Sequence, residues 1–195
     1  MGERAFEAGA GDRVLYCGFN RDSLGDAGEG LAVASSPVRC LSLAVENSYR
    51  LIAVRVEPLP EKERAEWTGL CSALKTNSRT RMIPLVALLV APHRASMEDL
   101  AKAGVDYLRF VGLHSTAGEL RADVVRKPCP EEETGAQLAR ICPRLHYTPI
   151  DQSREMAVCG AYRDRLVLGS RTLKDLCHQT AHAHCQYFLS PVTTE

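Results

Sequence analysis

No apolar run in this chain approaches the roughly 20 residues that cross a bilayer, and the opening stretch MGERAFEAGAGDR lacks the apolar core of a secretory signal. The expected address is cytoplasmic, with no membrane partner. Net charge is lacking too. The 24 Lys and Arg residues offset 24 Asp and Glu, so no global field argues for nucleic acid, and none is expected as a partner. A glycine-rich phosphate loop, a dinucleotide fingerprint and an acid–base constellation are missing from the pattern, which argues against an enzyme. Also missing are the C-x2-C and C-x4-C knuckles through which structural zinc sites draw two ligands from one tight turn.

What is present is a chain of 195 residues, long enough for one large domain or a medium one with a small companion. Apolar residues make up 45% and charged residues 25%, ordinary values for a globular protein. Eight cysteines are the unusual feature. In a reducing compartment clustered cysteines point to metal or redox chemistry rather than to disulfides. Cys17, Cys40 and Cys71 stand singly in apolar segments, where a buried cysteine acts as a small hydrophobe. Cys129, Cys142, Cys159, Cys177 and Cys185 crowd the last third. That asymmetry suggests two modules.

In the first module RVLYC (13–17), VRCLSLA (38–44), RLIAVRV (50–56), IPLVALLV (83–90) and VDYLRFV (105–111) read as strands. Their near-continuous aliphatic runs suit a parallel sheet covered on both faces. Helical patterns lie between them. After Pro60, Trp67, Leu70, Cys71 and Leu74 recur on one helical face. Ser96 reads as an N-cap for MEDLAKA, with Asp99 three residues on, and Gly104 stands where a helix end needs positive φ. The segment after Cys17 is a weaker helix, since Gly25, Gly28 and Gly30 lower its propensity. Strands alternating with helices give a three-layer α/β fold.

The stretch YRLIAVRVEPLP…GLCSALKTN…RMIPLVALLVAPHRASMEDLAKAGVDYLRFV, with AGVDYL before the last strand, resembles the response-regulator receiver domain over residues 11 to 117. The resemblance implies a flavodoxin-like five-stranded parallel sheet. It also implies where phosphoryl chemistry would sit, and those positions are altered. The phosphoacceptor aspartate corresponds to Arg55, and the acidic Mg²⁺-binding pair to Gly18 and Phe19. The Ser/Thr ending the fourth strand corresponds to Leu89, and the lysine ending the fifth to Phe110. Without a carboxylate nucleophile or an acidic metal site, aspartyl-phosphate chemistry has no means to run. The implied module is a pseudo-receiver, with Arg55 a surface or salt-bridged arginine at the degenerate phosphoacceptor position.

Residues 118 to 136 read as a linker or last helix. HSTAGELRADVVRKPC (114–129) is mixed and charged, and PEEETGAQLARI places Pro130 in a first turn with three glutamates favouring a helix N-terminus.

Residues 137 to 188 read as a small cysteine-rich metal-binding module. Cys142, Cys159, Cys177 and Cys185 follow the spacing C-x16-C-x17-C-x7-C. About 50 residues rarely hold a core without a staple, and four thiolates are the ligand count for zinc or an iron–sulfur cube. Four separate backbone segments must converge, which suits a [4Fe–4S] cluster; Zn²⁺ is the alternative. The pieces Cys142-Pro143, Leu145, Cys159, Cys177, His182 and Cys185 also resemble a small bacterial motif, CP-x-L…C…C-x4-H-x2-C, found appended to unrelated domains. His182 and His146 are expected to support the site or serve as alternative ligands. His178 and His184 are expected to be exposed, and Cys129 is a spare thiol. Arg163, Arg165 and Arg171 lie near the site. Over residues 142–195, however, six Lys and Arg meet five Asp and Glu, so the module is not a basic face.

These readings converge on a non-catalytic regulatory or adaptor protein. It would meet a protein partner or a second copy through the receiver-like domain, with a metal centre responsive to redox state or oxygen. The alternatives are an electron-transfer protein, a zinc-stapled interaction module, or a Cys177–His pair acting as an activated thiol.

Overall fold

Five strands, β1 (Val14–Cys17), β2 (Leu31–Ala34), β3 (Leu51–Val56), β4 (Leu85–Leu89) and β5 (Tyr107–Phe110), lie parallel in the order β2-β1-β3-β4-β5. That is the flavodoxin-like order. The structure is a computed structural model and describes residues 13–18, 30–56, 61–113, 115–151, 154–162 and 166–192.

Both faces of the sheet are buried, so each strand carries apolar residues at successive positions. Leu15, Cys17, Ile52, Val54, Leu85 and Ala87 enter one core, while Val14, Tyr16, Leu51, Ala53, Val86 and Leu88 enter the other. Four of the expected strands are therefore present. The fifth is not. VRCLSLA lies in a helix, α1 (Pro37–Glu46), and Leu31–Ala34 supplies the missing strand. The Ser36 hydroxyl accepts from the Arg39 amide at 3.3 Å, Pro37 fills the first turn, and Cys40 and Ala44 turn one face inward. The weak helix expected after Cys17 lies outside the described residues; Gly30 turns into β2 with φ of 89°.

The helix α2 (Glu61–Thr76) buries Trp67, Leu70, Cys71 and Leu74 as its periodicity requires. The next, α3 (Arg94–Lys102), starts earlier than expected. Its N-cap is His93, whose Nδ1 accepts from the Ser96 amide at 3.1 Å, so Ser96 lies inside the first turn. Gly104 follows with φ of 82°, as a helix end requires.

The mixed segment 114–129 contains α4 (Ala117–Val125), opened by a Thr116–Glu119 capping box. Its Leu120 and Val124 close the second core. Beyond it come a short 3-10 helix (Pro130–Glu132) and α5 (Thr134–Arg140), which packs on α3 and β5.

Glu132 serves a purpose its acidic run conceals. Its two carboxylate oxygens accept from Arg109 Nε and Nη2, each at 2.7 Å, and Arg109 is 2% exposed on β5. Arg109 also donates to the Asp123 and Arg126 carbonyls, while the Arg126 guanidinium donates to Glu132 Oε1 at 2.6 Å. Burial pushes the Glu132 carboxyl up, but the two guanidiniums outweigh it and bring the group to about 2.

The remaining chain forms an antiparallel sheet of β6 (Leu145–Pro149), β7 (Glu155–Cys159) and β8 (Leu166–Val167), with β7 central. A helical turn, α6 (Ser170–Thr172), runs into a π-helical turn (Leu173–Cys177). A 3-10 helix (Thr180–His184) and α7 (Gln186–Leu189) follow. Ile141, Cys142, Leu145, Ala157 and Cys177 belong to the same buried cluster as Met97 and Leu100 of α3. No described helix is long and apolar enough to cross a membrane.

Candidate four-cysteine site

Four backbone segments deliver Cys142, Cys159, Cys177 and Cys185 to the wall of one cavity of about 390 Å³. Cys142 follows α5, and its amide donates to the Cys177 carbonyl at 2.7 Å, tying the first thiol to the third. Cys159 ends β7, opposite Leu145 in the ladder. Cys177 ends the π-helical turn. Cys185 heads α7, its carbonyl accepting from the Phe188 and Leu189 amides, each at 3.0 Å. The first three are buried and Cys185 is half-buried.

Leu166, Leu168, Leu176 and Phe188 supply an apolar lining. Burial raises the Cys142 thiol, with Cys159 and Cys185 adding to it against the Arg144 amide. Burial likewise pushes Cys177 up to about 11, reinforced by Cys142, Cys159 and Cys185. Burial and the neighbouring thiols therefore discourage Cys142 and Cys177 from ionising. A cation in the cavity would reverse that, stabilising the thiolates it binds.

Among the described residues, no three Cys, His, Asp or Glu side chains are gathered tightly enough to hold one metal ion. With Zn–S bonds of about 2.3 Å, tetrahedral zinc draws its sulfurs to within roughly 4 Å of one another.

His182 is buried, lines the cavity and meets Phe188 edge-on at 5.3 Å. Its Nδ1 is 2.7 Å from the Gln179 carbonyl. A carbonyl only accepts, so Nδ1 carries the proton, and in the neutral ring Nε2 holds the lone pair. His184 is exposed on the cavity rim. His146 is exposed on β6 and does not line the cavity. His178 departs from its expected exposure. It is half-buried, burial and then His93 lower its pKa, and its Nε2 finds no hydrogen-bond partner among the described residues. Cys129 stands apart from the cavity, its amide donating to Glu132 at 3.3 Å.

The three solitary cysteines meet inside the first core, although far apart in sequence. A thiol contact with Cys40 and then burial hold Cys17 far above the ordinary cysteine value. Burial, with Cys40, pushes Cys71 up to about 12. Arg55 is half-buried on β3 opposite Leu88 of β4. Leu89 and Phe110 end β4 and β5 side by side, and Gly18 follows β1. Phe19, Arg163 and Arg165 lie outside the described residues, and Arg171 is exposed, 3.5 Å from Asp175.

A polar anchor that the cysteine spacing did not reveal joins this region to α3. The His93 ring stacks on Tyr147 of β6 at 3.7 Å between centroids, and its Nε2 lies 2.8 Å from Glu155 of β7. Arg94 Nη1 donates to the Ile141 carbonyl, one residue before Cys142, at 2.8 Å. The Arg94 amide reaches the Tyr147 hydroxyl at 3.4 Å.

No protein-family model matches the chain, and no curated protein matches it. Solved structures similar to it include response regulators. The chemotaxis protein CheY4 of Vibrio cholerae is 15% identical, covering 58% of this chain and 93% of its own, with a TM-score of 0.43. A response regulator from Desulfuromonas acetoxidans is 19% identical over 57% of this chain and 92% of its own, with a TM-score of 0.43. The phosphorylated cyanobacterial phytochrome response regulator RcpA is 12% identical over 60% and 90%, with a TM-score of 0.45.

Proposed function

We propose that the protein is a non-catalytic signalling adaptor in which a receiver-like sheet carries a four-cysteine metal centre, a [4Fe–4S] cluster held by Cys142, Cys159, Cys177 and Cys185. One observation carries this reading: thiols spread over 44 positions of sequence line a single cavity. The donor chemistry suits the group, since four thiols and an apolar lining match the ligands and shielding of such a cluster. Bound there, it would supply a one-electron redox centre whose loss removes a staple from the tail. His182, on the same cavity wall with its proton on Nδ1, would stand beside the group with Nε2 as an acceptor or ligand.

The sheet contributes a scaffold for protein contact. Val56, Leu89 and Phe110 lie level across β3, β4 and β5, and neither they nor Arg55, the residue that the resemblance sets at the phosphoacceptor position, offer the nucleophile, hydroxyl and amine that phosphoryl transfer would need. Signalling through this chain would therefore depend on contacts and on the state of the centre, with a protein partner or a second copy as the recipient.

Anaerobic purification with iron, sulfide and zinc analysis tests the reading. Brown protein with iron and acid-labile sulfide in equal amounts is expected, and Cys159→Ser should lose both while Trp67 emission stays that of a buried indole. Stoichiometric zinc without sulfide would replace the cluster by a zinc staple. Metal-free protein with unchanged proteolysis in Cys159→Ser would sink the proposal.

A further inference from the structure

The anchor between α3 and the tail lies one residue from the first candidate ligand. Arg94 holds the Ile141 carbonyl; the next residue, Cys142, donates its amide to the Cys177 carbonyl. His93 is engaged in three directions at once. Its Nδ1 caps α3 by accepting from Ser96, its ring lies on Tyr147, and its Nε2 meets Glu155, four residues before Cys159 on β7. With Nδ1 accepting, the neutral ring carries its proton on Nε2 and donates it to the Glu155 carboxylate. One side chain thus belongs to the first turn of α3 and to both long strands behind the cavity.

From this geometry we infer that His93 and Arg94 form a strut that couples the four-cysteine site to the amino-terminal turn of α3. The inference rests on the proposed metal site and adds its route of regulation. Filling the cavity fixes the backbone at Cys142, Cys159 and Cys177, and the strut carries that rigidity to the α3 cap. Emptying it frees Ile141, Tyr147 and Glu155 to move, and the cap loses its backing. Coupling of this kind is reciprocal: whatever the centre does for α3, the strut does for retention of the centre. His93 and Arg94 are positioning residues and touch no bound group.

His93→Asn separates the strut from the cap, because asparagine still accepts from the Ser96 amide but cannot stack on Tyr147 or reach Glu155. In the full-length, metal-loaded protein, EDTA should strip metal from His93→Asn about tenfold faster than from the parent. Arg94→Ala should behave likewise. Lys102→Ala, at the exposed far end of α3, should strip at the parental rate. Hydrogen exchange supplies a readout independent of affinity: stripping the parent should speed exchange in residues 94–100, and His93→Asn should show that speed before stripping. Protein that binds neither iron with sulfide nor zinc overturns the metal-site reading itself. Protein that holds metal, yet releases it equally fast in all variants with unchanged α3 exchange, overturns the strut alone.

Discussion

Arg109 and Glu132 meet through two parallel 2.7 Å hydrogen bonds although 23 residues separate them. The pair lies on the sheet face closed by α4, where Arg109 is 2% exposed, and it ties β5 to the chain that leaves α4. Arg109 is thereby satisfied on all three guanidinium nitrogens. A bidentate geometry of this kind is specific to arginine, so lysine is no substitute.

Removing one partner should be far worse than removing both. Glu132→Ala leaves a buried guanidinium without its carboxylate and is expected to cost about 3–5 kcal/mol. Arg109→Met with Glu132→Leu should recover most of that loss, since an apolar pair of similar volume needs no compensation. Urea melts of the three proteins decide the matter; equal stability of the single and double variants would contradict the clamp.

The same pair sets an acid limit. The Glu132 carboxyl lies at about 2 in the fold against an ordinary 4.5. A carboxyl lowered on folding stabilises the folded state fully above its unfolded value, and that contribution is lost as pH falls through the folded one. Stability should thus decline between about pH 4.5 and 2, and Glu132→Gln should flatten that part of the profile. An identical acid slope in the variant would count against it.

Thiol labelling should divide the eight cysteines by place rather than by sequence. Cys17, Cys40 and Cys71 are fully buried, with Cys17 and Cys71 held protonated, so at pH 8 they should label only after unfolding. Half-buried Cys129 and Cys185 should label first in metal-free protein, and loading the proposed centre should protect Cys185 while leaving Cys129 reactive. Mass spectrometry of timed alkylation reads the order, and early labelling of Cys71 would refute it.

Much of the sheet was legible because its central strands are buried on both faces, which forces near-continuous aliphatic runs such as LIAVRV and PLVALLV. β2 escaped because LAVA is short and half alanine, whereas VRCLSLA imitates a strand until Ser36 and Pro37 before it are read as a cap and first turn. The α3 start was misplaced for a tertiary reason: histidine is not a favoured cap, and His93 serves as one while held by Tyr147 and Glu155. Cysteine count and spacing pointed to the candidate site, since four thiols in a short tail need a reason. The Arg109–Glu132 pair left no local trace. Arg109 reads as one residue of an ordinary strand, and Glu132 as one of three glutamates at a helix start.

The buried cluster that runs from the sheet through α3 to Cys142 and Cys177 has a practical consequence for anyone cutting the gene into pieces. A fragment ending before α5 would expose the flank of α3 that α5 and β6 cover, a patch inviting self-association. One ending before Glu132 would in addition strand Arg109 as a buried lone charge. The tail expressed alone would lose the anchor on His93 and Arg94. Useful expression boundaries therefore lie outside residues 13–192, and the two modules are best produced as one piece.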